Sequence, residues 1–138
     1  MIDHVSLAVA DLDRAARFYE AVLGAIGFAK LEVRPATVGF GKRYPELWLN
    51  HRPAMAGVAA DTGAHVCLRA PGTAAVDAFH AAALVHGGRD DGPPGLRTNY
   101  HSDYYGAFVL DPDGHRIEAV CHARITPTIV ASGQRNAF

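Results

Sequence analysis

Residues 111–120 read DPDGHRIEAV. The first four residues specify a tight turn. Pro112 presets φ at the first turn position, Asp113 suits the second, and Gly114 takes the left-handed position that closes a hairpin. Alternation flanks the turn, with Phe108 and Leu110 before it and Ile117, Ala119 and Cys121 after it. Two paired strands follow from this pattern, Tyr104–Leu110 and His115–His122. On the second strand Ile117, Ala119 and Cys121 share one face, so Glu118 points the other way with Arg116, Val120 and His122. A carboxylate in mid-strand among apolar neighbours needs a cation, a solvated cleft or a metal, because burying it alone is costly.

Upstream, the same logic recurs. Ile2–Ala10, IDHVSLAVA, alternates between an apolar face (Val5, Leu7, Val9) and a second face (His4, Ser6, Ala8). Asp11 is positioned to cap a helix over Leu12–Leu23, whose stripe is Leu12, Ala15, Phe18, Tyr19, Val22 and Leu23. Gly24 and Gly27 end it. Short strands are expected at Phe28–Val33, Thr37–Gly41 and Glu46–Asn50. A second alternating strand, Ala64–Ala70, feeds a helix over Ala74–His86 with Thr73 as its candidate cap and Gly87-Gly88 as its stop. Arg89–Asp103 is polar and rich in Gly and Pro, and reads as an irregular segment covering a site.

The unit strand–helix–strand–strand–strand therefore occurs twice. The expected architecture is α+β: two βαβββ modules whose curved sheets surround an open cup, with the helices on the outer face. Residues 1–122 form one domain, divided into module one (1–50), a linker (51–63) and module two (64–122). Residues 123–138 lack periodicity and are read as a C-terminal tail. His4, Glu46, His65 and Glu118 fall on the cup face.

Composition narrows the function classes. The 138-residue chain is 49% hydrophobic and carries a formal net charge of −1, so it has no broad electrostatic footprint for nucleic acid or an acidic membrane surface. No apolar run approaches a membrane span, and no charged-then-apolar leader opens the chain. Cys67 and Cys121 lie far apart without CxxC spacing, which suits a reducing, cytoplasmic setting. There are eight histidines. His4 and His65 with Glu118 make a 2-His-1-carboxylate set, which leaves open positions on Fe(II) and suits Zn(II), Mn(II) or Ni(II). His51, His80, His86 and His115 are read as solvated.

IDHVSLAVADLDRAARFYEAVLG, GAHVCLRA and FVLDPDGHRIEAV together resemble the vicinal oxygen chelate (VOC) superfamily, which includes glyoxalase I, extradiol dioxygenases, fosfomycin-resistance transferases and bleomycin-resistance proteins. The resemblance runs from Ile2 to about His122. It implies paired βαβββ modules and a divalent metal on His4, His65 and Glu118. It also implies a homodimer and a small oxygen-rich substrate chelated to the metal. Glu46 is a fourth ligand in the glyoxalase-like alignment, or a base. With the strand displaced by two residues, Trp48 fills that place and becomes a cup-wall, substrate-binding aromatic.

Before the hairpin, Arg97 is expected to pair with a substrate carboxylate, and Tyr100 or His101 to move a proton. Tyr104 and Tyr105 face opposite ways, so one of them lines the cup; Tyr105 is assigned to substrate binding. The activity implied is glyoxalase-like lyase or isomerase chemistry, or extradiol-type dioxygenation. The alternative is a metal-free binding or sequestering protein of the bleomycin-resistance type.

Overall fold

The computed structural model describes residues 1–122, and the expected tail lies outside the described residues. The elements are β1 (Val5–Val9), α1 (Leu12–Gly24), β2 (Ala29–Val33), β3 (Thr37–Gly41), β4 (Pro45–His51), β5 (Val66–Arg69), α2 (Thr73–Val85), β6 (Arg89–Leu96), β7 (Tyr104–Leu110) and β8 (Arg116–His122). They form two four-stranded sheets of identical order, β1-β4-β3-β2 and β5-β8-β7-β6. In each sheet the first strand runs parallel to the last, and the other pairings are antiparallel. The repeat read from the sequence is thus the architecture: two βαβββ modules, open sheets and outer helices.

Local chemistry sets the helices. The Asp11 carboxylate caps α1 by accepting the Arg14 N–H at 3.0 Å. The predicted stripe is buried from Ala15 to Leu23. The second helix starts differently from expectation. Thr73 is its first residue, and Gly72 precedes it without any side-chain cap bond. Here packing of Val76, Phe79 and Ala83 replaces the missing cap as the source of stability. The helices pack on each other and on the helix-side faces of both sheets, giving one continuous core that includes Phe18, Phe40, Leu47, Phe79 and Ile117.

Two sequence expectations are corrected. The stretch read as irregular, Arg89–Asp103, contains β6, whose sequence is RDDGPPGL. Its pairing with β7 slips between Asp90 and Gly92 and again between Gly92 and Gly95. Two prolines are tolerated because β6 is an edge strand, where an absent N–H breaks no second ladder. The histidines expected in solvent are also largely engaged. His80 is buried on α2 with Nε2 2.8 Å from an Asp90 carboxylate oxygen. The Nε2 atoms of His51 and His115 reach the Ala10 and Ala8 carbonyls at 3.2 and 2.7 Å. Only His86 keeps an exposed position of the expected kind, on the last turn beyond α2.

The turn at residues 111–114 does more than reverse the chain. Gly114 adopts φ +97°, and its N–H closes the turn on the Asp111 carbonyl at 3.0 Å. The buried Asp111 carboxylate accepts the N–H groups of Asp113 and His115 on Oδ1 and the Tyr19 hydroxyl of α1 on Oδ2, at 3.0, 2.8 and 2.7 Å. Asp113 accepts the Ala10 N–H at 3.0 Å. A module-two turn is thereby fastened to the β1–α1 junction of module one. Removing the hydroxyl by Tyr19→Phe orphans a buried carboxylate oxygen, so urea unfolding at pH 7 should show a loss of about 1–3 kcal/mol.

Burial raises the Asp111 pKa above its ordinary 3.8. The native state therefore holds this proton to higher pH than the unfolded chain does. Ionisation costs stability as pH rises from about 3.8 through the raised folded value. The stability of Asp111→Asn relative to the unaltered chain should accordingly rise between acid and neutral pH; a flat difference would overturn this assignment.

Candidate functional site

Glu118 is the centre of the cup face of module two. It is only 2% exposed. Its Oε1 accepts the Tyr104 hydroxyl, and its Oε2 lies 3.2 Å from His65 Nε2. Strand pairing explains the convergence. Cys67 is level with Glu118 on the parallel neighbour β5, which puts His65, two residues earlier on the same face, within reach. Across the antiparallel side Glu118 faces Phe108. Tyr104 reaches it diagonally because Gly106 intervenes: a Cβ there would stand 3.2 Å from Tyr104 Cε1 and 3.3 Å from Glu118 Oε1.

The 3.2 Å separation has a chemical meaning. Two donors bound to one ion at ordinary lengths and tetrahedral or octahedral angles stand roughly 3.0–3.5 Å apart. At 3.2 Å His65 and Glu118 are within hydrogen-bond distance of each other, a separation that two ligands of one ion would also have. His4 is not brought to the same point. It is exposed, with Nδ1 2.7 Å from Asp3 Oδ2. It does line a cavity of about 420 Å³ together with Glu46, His65 and Cys67. Among the described residues no three His, Cys, Asp or Glu side chains converge as a metal cage.

Comparing the registers of the two sheets aligns the modules residue by residue. Val5 faces Leu47, and Val66 faces Ile117. His4 thus corresponds to His65, Glu46 to Arg116, and Trp48 to Glu118. Of the two alignments left open by the sequence, the register matches Trp48 with the carboxylate position. Trp48 lies over Gly39, where an added Cβ would come within 2.8 Å of the ring, and Arg34 sits 5.2 Å from its centroid. Glu46 lines the cavity wall with His4, its Oε2 accepting the Lys42 N–H at 3.3 Å.

The residues around the β6–β7 connection divide. Arg97 and Tyr100 line a second cavity with His65. His101 is absent from the walls of both cavities; its Nδ1 accepts the Asp103 N–H at 3.2 Å. The assignment of Tyr105 to the cup is corrected. Its hydroxyl donates to Asp77 of α2 at 2.6 Å, on the helix side, because it pairs with core-facing Cys121. Strand alternation puts Tyr104 on the cup side instead. Tyr104 was thus the available signal, legible once its face was matched to Glu118. Arg116 and Phe108 were missed, although both share the Glu118 face by the same period of two.

A family model described as Glyoxalase/Bleomycin resistance protein/Dioxygenase superfamily matches residues 1–119. The chain belongs to this superfamily. Among solved structures, a glyoxalase/bleomycin resistance protein from Albidiferax ferrireducens T118 is similar at 28% identity and TM-score 0.74, over 86% of this chain and 95% of that one. A glyoxalase/bleomycin resistance protein/dioxygenase family enzyme from Burkholderia phytofirmans PsJN shares the fold at 18% identity and TM-score 0.68, over 88% and 98%. A possible glyoxalase from Bacillus cereus does so at 24% identity and TM-score 0.62, over 88% and 98%. No curated protein matches the chain. In this chain the cup floor of module two carries the His65–Glu118–Tyr104 cluster, and Trp48 stands at the place in module one that matches Glu118.

Electrostatics mark the same cluster. Burial, then the bond to Glu118, push the Tyr104 hydroxyl upward, so it remains a donor. Cys67 is exposed on the cup floor, yet desolvation by its neighbours and the Glu118 carboxylate push its thiol up to about 12. Its sulfur lies 3.8 Å from the Tyr104 oxygen. An accessible thiol held protonated should alkylate slowly. Iodoacetamide labelling of Cys67 in the chelator-treated protein at pH 8, followed by peptide mass mapping, should run at least about a hundredfold slower than a free thiol, and Glu118→Gln should accelerate it. Labelling at the free-thiol rate would contradict this picture of the site.

Proposed function

We propose that this chain is a metal-dependent VOC enzyme acting on a small oxygen-rich molecule, with His65, Glu118 and His4 holding one divalent ion. The observation that carries the reading is the 3.2 Å spacing between the Oε2 of buried Glu118 and the Nε2 of His65, a half-exposed imidazole that lines both cavities. Zn, Ni, Mn or Fe suits this donor set, and when bound such an ion supplies Lewis-acid stabilisation of a substrate oxyanion. The chain's own groups then orient and protonate. Tyr104 fixes the Glu118 carboxylate by its hydrogen bond. Glu46, on the wall beside His4, is placed to carry a proton to or from a ligand in the cavity. Tyr100 supplies a phenol on the far wall. Trp48 at the position matching Glu118 favours the three-ligand site, and with it dioxygenase-like over glyoxalase-like chemistry.

Because His4 does not meet the other two donors within one chain, the reading includes a homodimer in which His4 comes from the second copy. Such a site is compatible with two-fold symmetry, each copy giving and receiving one histidine. The free thiols Cys67 and Cys121 support a reducing, cytoplasmic setting. Among the described residues no helix is long and apolar enough to cross a membrane.

A second reading keeps the cup but not the metal. Both Glu118 oxygens already have protein partners, so the carboxylate is satisfied without an ion. Metal content per chain, after purification without chelators, separates the two. Near-stoichiometric metal that His65→Ala and Glu118→Ala each abolish supports the enzyme. No metal after reconstitution with each ion leaves the binding module. Mixing and reassembling His4→Ala and Glu118→Ala chains tests the dimer: random pairing across a two-fold should restore metal to about a quarter of the sites, and a site within one chain restores none.

A further inference from the structure

We infer that the module-two side of the cup is a carboxylate subsite built by Arg97 and Arg116 beside Phe108, so that the small molecule taken here is an aromatic or conjugated carboxylate. The inference rests on the reading of the cup as a small-molecule site, and is independent of whether a metal occupies it.

A cavity of about 470 Å³ opens on the far side of His65, and its walls include Asp91, Arg97, Tyr100, Phe108 and Arg116. This is within the size range of small-ligand pockets. It presents two guanidinium groups and one carboxylate. The carboxylate is already engaged: Arg116 Nε donates to Asp91 Oδ2 at 2.8 Å, which fixes the plane of the guanidinium. The approach of Arg116 Nη1 to Asp61 is 4.0 Å, too long for a hydrogen bond. Arg97 donates from Nη2 to the Pro93 carbonyl at 2.6 Å and lies 5.7 Å from the Phe108 centroid. Among the described residues, both Nη groups of Arg116 and Nη1 of Arg97 therefore donate to no acceptor. Oriented guanidinium edges with unused donors are the geometry that carboxylates bind.

Comparison of the two modules shows that this cationic wall is particular to one half. Arg34 and Arg97 hold equivalent places, each following the first strand of a hairpin and donating its N–H to the first residue of the next, Thr37 at 2.9 Å and Tyr104 at 2.7 Å. Each also stacks on an aromatic ring, Arg34 on Trp48 and Arg97 on Phe108. The next position differs in sign: Glu46 in module one corresponds to Arg116 in module two. At these matched positions module two pairs two cations, where module one pairs a cation with a carboxylate. The aromatic part follows from the rings there. Phe108 lies 6.3 Å from the His65 ring, and Tyr100 shares the same cavity wall, so a flat ligand finds flat partners on its way to His65.

The test uses benzoate as probe, by calorimetric titration of the chelator-treated protein. Benzoate should bind, benzamide should bind at least about tenfold more weakly, and Arg97→Gln and Arg116→Gln should each weaken benzoate by about tenfold or more. The benzamide comparison needs no variant, so it stands even if an arginine variant fails to fold. No benzoate binding up to about 50 mM, or equal binding of benzamide, would overturn the subsite. Cyclohexanecarboxylate binding as tightly as benzoate would overturn the aromatic assignment. Benzoate binding in a protein that takes up no metal would sink the metal reading and support the subsite. Stoichiometric metal without benzoate binding would do the reverse.

Discussion

The Asp111 carboxylate is the constraint on which the two halves depend. It is buried in the turn that starts β8, and it is satisfied by two N–H groups of that turn and by one hydroxyl from α1. Leaving any of these acceptors unpaired in a dry interior costs more than an ordinary hydrogen bond contributes. The turn therefore has one favourable seat against module one. His115 reinforces it from the same turn by reaching the Ala8 carbonyl of β1. With that seat fixed, the start of β8 is fixed, and the strict period of a strand then determines which way Glu118 points. A one-residue slip would exchange Glu118 for Ile117 at the cup floor and place a carboxylate in the core.

The same constraint explains what was legible in the chain. DPDG specifies a turn whatever surrounds it, and the alternation after it is uninterrupted, so Glu118 and its face could be read directly. The Asp11 cap and the α1 stripe were equally local. Arg89–Leu96 was not, because RDDGPPGL has no alternation and two prolines. It becomes a strand only through tertiary context, as the outer edge beside β7, where one side of the ladder goes unused. His80 and His115 were misjudged for a related reason. Their partners, Asp90 and the Ala8 carbonyl, come from other elements, and the pairing of a buried polar group is not written near it in sequence.

The site was legible in types and less so in geometry. His65 and Glu118 meet as their strand positions imply. Tyr104 and Tyr105 are sorted by matching the face of β7 to that of Glu118 across the hairpin. Glu46 and Trp48 could not be ranked, because the irregular linker leaves the alignment open and a shift of two leaves alternation unchanged. Pairing of β1 with β4 supplies the missing register.

That register shows how a repeated fold becomes a single asymmetric site. Both modules open with histidine and close on a parallel strand, but the residues at matching places have diverged in charge and size. Trp48 needs the space above Gly39, while at the corresponding positions Glu118 is accompanied by Phe108. The bulky ring has moved from the neighbouring strand in one half to the central strand in the other. A carboxylate at the Trp48 position would have placed a second negative charge in the cup, which suits a fully ligated ion. The aromatic at that position carries no such charge. With Arg116 opposite in sign to Glu46, the cup acquires a direction: module two has a guanidinium where module one has a carboxylate. A ligand whose anionic end sits on the Arg97–Arg116 pair would pass His65 with its other end, because His65 lines both cavities.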